Sequence, residues 1–196
     1  MKKSTLTIII VVAVVAIIGI WIGNGYNKLV VAQETVTTEW SNVESQYQRR
    51  ADLIPNLVST VKGYAAHESE TLESVIAARS RATQVTVDAN DLSEEALARY
   101  QSAQGEVGSA LGRLLMLTEN YPDLKANQNF LALQEQLEGT ENRIQVARSR
   151  FNETAKMYNT TIRRFPTNIL ASMFNFDTTA YFKADEAAAE APKVEF

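Results

Sequence analysis

Arg49-Arg50-Ala51-Asp52-Leu53-Ile54-Pro55-Asn56-Leu57 sets a proline inside a helical apolar pattern. Around it, apolar residues fall at Val36, Trp40, Val43, Tyr47, Ile54, Leu57 and Val61. These steps alternate mostly as three and four, the spacing of a helix that buries one narrow stripe. Pro55 has no backbone N–H, and its ring crowds the carbonyl of Ala51 one turn earlier. Two readings compete. In one, Asp52 caps a new helix and Pro55 sits in its first turn, where no N–H is needed. In the other, a single kinked helix runs through. The apolar phase before the proline carries on after it, with Arg50 in the inward slot between, and this favours the continuous helix.

Working outward, the 196 residues suffice for one ordinary domain, and 45% hydrophobic content suffices for a core. Four prolines and eight glycines among many Ala, Leu, Glu, Gln and Arg point to helices. A net charge of −4 carries no general nucleic-acid footprint. With no cysteine there is neither a disulfide framework nor thiolate chemistry.

Towards the N-terminus, Leu6–Ile22 is almost wholly apolar, and no charge falls between Lys3 and Lys28. Seventeen helical residues span about 25 Å, near the lower limit for a bilayer core. Trp21 and Tyr26 suit the far interface, and Lys2 and Lys3 the cytoplasmic side. A cleaved signal peptide is the competing reading, but the run exceeds the usual apolar core of such peptides. The expectation is a retained single-pass membrane anchor, N-terminus cytoplasmic and body extracytoplasmic. Gly23-Asn24-Gly25 reads as a hinge, giving an anchor-and-hinge segment over 1–25.

The body, 26–166, divides into helices. One runs from Tyr26 to near Gly63. A shorter one covers Ser69–Thr86, with Leu72, Val75, Ile76, Arg79, Ala82 and Val85 on one face. Asp91 and Glu94 resemble a capping box opening a third helix, which buries Tyr100, Ala103, Val107, Leu111, Leu114 and Leu115 and ends at Tyr121-Pro122. Gly105, Gly108 and Gly112 either weaken it or admit a close neighbour. The last follows a near-strict heptad at Phe130, Leu133, Leu137, Thr140, Ile144, Ala147, Phe151, Tyr158 and Ile162, and stops before Pro166. The fold class is therefore all-α: an N-terminal transmembrane helix, then an elongated antiparallel up-down bundle of three to four long helices. Residues 167–182 form an apolar C-terminal segment that caps the bundle or lies on the bilayer; it lacks the basic face of a typical interfacial helix. Residues 183–196 read as a disordered acidic tail.

Several stretches together resemble the bacterial LemA family. They are Tyr26-Asn27-Lys28-Leu29-Val30, Arg49 to Val58, Tyr64-Ala65-Ala66-His67-Glu68, Ala78-Arg79-Ser80, Glu119 to Leu124, Glu138 to Ile144, and Tyr158-Asn159 through Arg164-Phe165-Pro166. The terminal Pro192-x-Val194-x-Phe196 is similar to the family's usual ending. The resemblance implies a membrane-attached helical bundle and supplies no catalytic residues.

Chemistry finds little support. His67-Glu68 opens like a zinc-protease helix, but the chain has one histidine, and two a turn apart are needed. Glu135, Glu138 and Glu141 lack the Glu-x-x-His partners of a di-iron bundle and read as a solvated face. One histidine also leaves little for a Ser-His-Asp arrangement. The expectation is a non-enzyme without cofactor: a scaffold or adaptor, self-associating and binding other membrane proteins but not nucleic acid. The alternative is a sensor of envelope stress acting through the kinked helix. Arg49, Arg50, Asp52, Pro55 and Asn56 form the candidate docking or structural cluster. On the last helix Arg143, Arg148 and Arg150 sit near Glu141, Glu138 and Glu153, and with Arg50 these charges read as pairing across neighbouring helices to fix register. Pro192, Val194 and Phe196 are the candidate tail-recognition residues, since a free carboxylate on a large apolar residue suits capture by a partner groove.

Overall fold

The structure is a computed structural model and describes residues 3–89 and 91–183. Among these the regular elements are helices: α1 (Lys3–Lys62), α2 (Ser69–Gln84), α3 (Glu94–Thr118), α4 (Pro122–Lys125), α5 (Gln128–Arg163) and α6 (Thr167–Met173).

α1 is one uninterrupted helix of 60 residues, about 90 Å long. It passes through Pro55, as the continuous phase predicts. It also passes through Gly23-Asn24-Gly25, so the expected hinge is absent. Two glycines cost a helix only about 1 kcal/mol each, and that loss is spread over a helix held at both sides. Ile22 packs on the core and Leu29 is fully buried. Gly25 also permits a close approach: a Cβ there would overlap Leu170 Cδ1, and that side-chain end would have to shift. The first part of α1 is long and apolar enough to cross a membrane, and every residue from Leu6 to Trp21 is exposed.

α5 packs along α1. Trp40 meets Phe151, and Arg50 meets Glu141. Ten residues forward on α1 are thus ten residues back on α5, so the two run antiparallel. The heptad of α5 is buried as expected at Phe130, Leu137, Thr140, Ile144, Ala147, Phe151, Tyr158 and Ile162. α2 and α3 also pack on each other and cover α1 on another side, through contacts such as Trp40–Tyr100 and Ile54 with Val75 and Leu111 in one core.

Local signals explain most boundaries. Asn127 caps α5 by accepting from Phe130 N at 3.0 Å. α3 is capped by Ser93, which accepts from Ala96 N at 3.4 Å, and not by Asp91. Leu92 is buried and its carbonyl takes a hydrogen bond from Ala180 N, so the chain stays extended there and the helix starts later. The glycines of α3 face open space rather than a neighbouring helix. α6 ends where Asn175 adopts a positive φ of 56° and Phe176 N bonds back to Ala171 O, a Schellman closure.

The chain then runs back along α5 as an extended strap, 176–183. Phe182 is buried against Trp40 and Phe151. The apolar segment thus covers the body's own core at Leu170, Ala171 and Phe182. Lys183, expected to begin a loose tail, is tied down: its carbonyl accepts from Arg148 and Gln101. The remaining tail, with Pro192, Val194 and Phe196, lies outside the described residues.

Candidate functional site

Arg50 reaches the interior through the phase that the flanking apolar residues impose on α1. Its side chain is 4% exposed. Nη1 donates to Glu141 Oε1 on α5 at 2.9 Å, and Nη2 to both Gln104 O and Gln104 Oε1 on α3 at 2.8 Å. The guanidinium also lies 5.1 Å from the centre of the Tyr47 ring. One side chain therefore ties together three helices.

This polar layer divides the interior. On one side, nearer the apolar start of α1, lies the core around Trp40, Tyr47, Tyr100, Ile144 and Phe151; on the other lies the core around Ile54, Val107, Leu111, Phe130 and Leu137. Arg50, Gln104 and Glu141 each sit between consecutive apolar positions of their own helices. Sliding α5 by a turn would take Glu141 away from Arg50 and leave the buried guanidinium with Gln104 of α3 alone, so the ion pair favours this register.

Next to this layer is the Pro55 distortion. Since Pro55 cannot donate, Ala51 O loses its intrahelical partner. Arg79 of α2 supplies the replacement, donating Nε to Ala51 O at 2.7 Å. The defect in α1 thus becomes an attachment point for α2. The sequence already placed Arg79 on the packed face of its helix; its target was not legible.

The other predicted residues do not join Arg50. Arg49, Asp52, Pro55 and Asn56 are exposed, and Asp52 accepts from Gln48 Nε2 at 2.7 Å on its own helix. The proposed cluster is split by the helix into an inward arginine and an outward polar face. A cleft of about 920 Å³ between α1, α2 and α3 is lined by Arg49, Arg50, Asp52, Arg79, Tyr100 and Gln104 among others. Burial raises the pKa of Glu44 in this cleft; the Trp40 indole offsets part of that without forming a well-aligned hydrogen bond. Burial likewise raises the Tyr100 phenol, reinforced by Tyr47 and Glu44.

Of the charges expected to pair across helices, Glu141 does so with Arg50, while Arg143 and Arg148 make other contacts. Arg143 donates to Thr140 Oγ1, and Arg148 holds the strap through Lys183 O and the Phe182 ring. Glu141 pairs with Arg50, while Glu135 and Glu138 are exposed. His67 is exposed in the turn between α1 and α2.

Asn152 and Asn159 were not singled out by the sequence pattern. Each uses its amide like a strand's backbone. Asn159 donates to Thr179 O and accepts from Thr179 N, and Asn152 does the same with Phe182, all at 2.8–2.9 Å. Seven helical residues and three extended ones both cover about 10 Å, so the two asparagines match the strap's repeat. Their one-heptad spacing was the available signal.

Among characterised relatives, the chain is 29% identical to the magnetosome protein MamQ of Magnetospirillum gryphiswaldense over 80% of its length, and spans 64% of that relative. It is 29% identical to the magnetosome protein MamQ 2 of Paramagnetospirillum magneticum, covering 93% of this chain and 73% of that one. It is 26% identical to the protein LemA of Metamycoplasma hominis, covering 82% and 69%. The LemA family profile matches residues 39–196, a range that includes the polar layer and the strap, and the chain belongs to the LemA family.

Proposed function

We propose that the chain is a single-pass, membrane-anchored scaffold of the bacterial cell envelope, without enzymatic activity, that self-associates and binds other membrane proteins. In this reading α1, α2, α3 and α5 form an elongated antiparallel up-down bundle, with the N-terminus cytoplasmic and the body outside. The observation that carries it is the unbroken α1, exposed and apolar over Leu6–Trp21 and contributing buried residues to the core from Leu29 onward. Such a helix transmits position rigidly from bilayer to body. The exposed apolar residues Ile76, Met116, Leu131, Val146 and Met157 offer contact points along the body. A sensor that changes angle at Pro55 is the weaker reading, since Arg79 bridges that site and stiffens it.

Crosslinking in intact membranes tests the proposal. Photoreactive residues at Met116 and Met157 are expected to capture a second copy and a defined set of membrane proteins. Capture of neither, at native expression, sinks the scaffold reading. Crosslinks between α1 and α5 that shift under envelope stress would restore the sensor.

A further inference from the structure

α6 sits where the span ends. Leu170 rests on Gly25, three residues past Ile22, and Phe174 and Phe176 pack edge-on against Tyr26 at 4.9 and 5.8 Å. Three residues of helix are about 4.5 Å of rise, so α6 lies at the level of the bilayer surface if Leu6–Ile22 fills the membrane. α1 has no hinge there, so the body cannot swing this end away.

Leu170 and Ala171 face the core, while another side of α6 and its entry carries large apolar groups that stay exposed among the described residues. Phe165 is 81% exposed, Met173 60% and Ile169 48%. Ile169 and Met173 are spaced by four and share one face of the short helix, and Phe165 lies in the turn that enters it. Beyond α6 towards the N-terminus, only the span itself continues among the described residues.

The basic groups missing from α6 itself come from its neighbours. The antiparallel pairing of α1 with α5 puts Lys28 level with Arg163, and Arg164 follows directly; all three are exposed. Asp177, the nearest acid in sequence, lies on the strap beside Tyr158. An apolar stripe flanked by cations at this depth matches a lipid surface with anionic headgroups.

We propose that α6 is a membrane foot. Phe165, Ile169 and Met173 insert into the interfacial zone around the exit of α1, and Lys28, Arg163 and Arg164 meet anionic headgroups. This inference rests on the retained anchor. A second contact fixes the tilt and rotation of the body, which one helix leaving the bilayer does not.

The chain has no cysteine, so single labels are clean. The full-length protein is reconstituted in phosphatidylcholine–phosphatidylglycerol vesicles, with a nitroxide on Phe165→Cys, Ile169→Cys or Met173→Cys. Met157→Cys, similarly exposed on the body, is the aqueous reference, and Val12→Cys reports on the anchor. The foot is expected to collide with dissolved oxygen, relative to a water-soluble nickel chelate, several-fold more than Met157→Cys. Foot labels that match Met157→Cys while Val12→Cys reads lipid overturn the foot and leave the anchor standing. If Val12→Cys also reads water, the anchor fails and the foot with it. Labels shielded from both quenchers, with spin–spin broadening that vanishes on dilution into lipid, assign the stripe to a second copy and overturn the proposal.

Discussion

At the scale of single residues, the proline of α1 is resolved by one hydrogen bond. Arg79 satisfies the carbonyl that Pro55 leaves open, so the two should be thermodynamically coupled. Arg79→Leu is expected to cost about 1–3 kcal/mol, the penalty for an unsatisfied carbonyl and a lost charged bond. In a Pro55→Ala background the Asp-containing turn regains its own N–H donor, and the same change should cost clearly less. Urea unfolding of the four proteins measures the coupling. The Arg50 layer should be asymmetric. Arg50→Ala removes a buried side chain together with its charged hydrogen bonds to Glu141 and Gln104, and is expected to cost about 3 kcal/mol. Glu141→Ala should cost about 1 kcal/mol, since Glu141 is 43% exposed and water screens the pair. Equal losses would mean that the layer is not organised around the arginine. Glu44 gives a pH effect. Burial favours its protonated form in the fold, so its contribution is best at acidic pH and is lost as pH rises through the raised pKa. Glu44→Gln, which resembles the protonated form, should stabilise at neutral pH, with the gain fading below the ordinary carboxylate range. Thermal unfolding across pH reads this directly.

At the scale of elements, helices with a strong period were legible and segments without one were not. The seven-residue repeat of α5 places eleven buried residues on one face, and the same repeat in α1 survives a proline because packing fixes its phase. The strap has no period. Its position depends on Asn152 and Asn159 lying one heptad apart on a different element, and on a gap between Trp40 and Phe151 that Phe182 fills. Asn159→Ala is expected to free its end of the strap, raising amide exchange at Thr179 by roughly tenfold or more, as loss of about 1–2 kcal/mol implies. Phe182 should respond less, because its own asparagine remains. If both amides exchange together, the strap detaches as one unit. The glycines separate in the same way. A Cβ at Gly23 meets nothing within 4 Å, so Gly23→Ala should stabilise by about 0.5–1 kcal/mol through helix propensity. Gly25→Ala has the same propensity gain but displaces Leu170, and melting in detergent should show little or no net benefit.

At the scale of the whole molecule, the charge-free run from Ser4 to Asn27 determined the candidate span, because a stretch that long and apolar needs no context to be recognised. The sequence by itself also determined the all-helical class and the inward phase of Arg50, since 3.6-residue periodicity is a property of the chain alone. It misjudged Gly23-Asn24-Gly25, where local propensity argued for a hinge and neighbouring contacts at Ile22, Gly25 and Leu29 outweighed it. The tertiary structure alone decided what the inward groups bind. That Arg50 meets Glu141 and Gln104, that Arg79 meets Ala51, and that Lys28 stands level with Arg163 are relations between residues 28 to 135 positions apart. No local pattern encodes them, because each depends on how two helices align after both have formed.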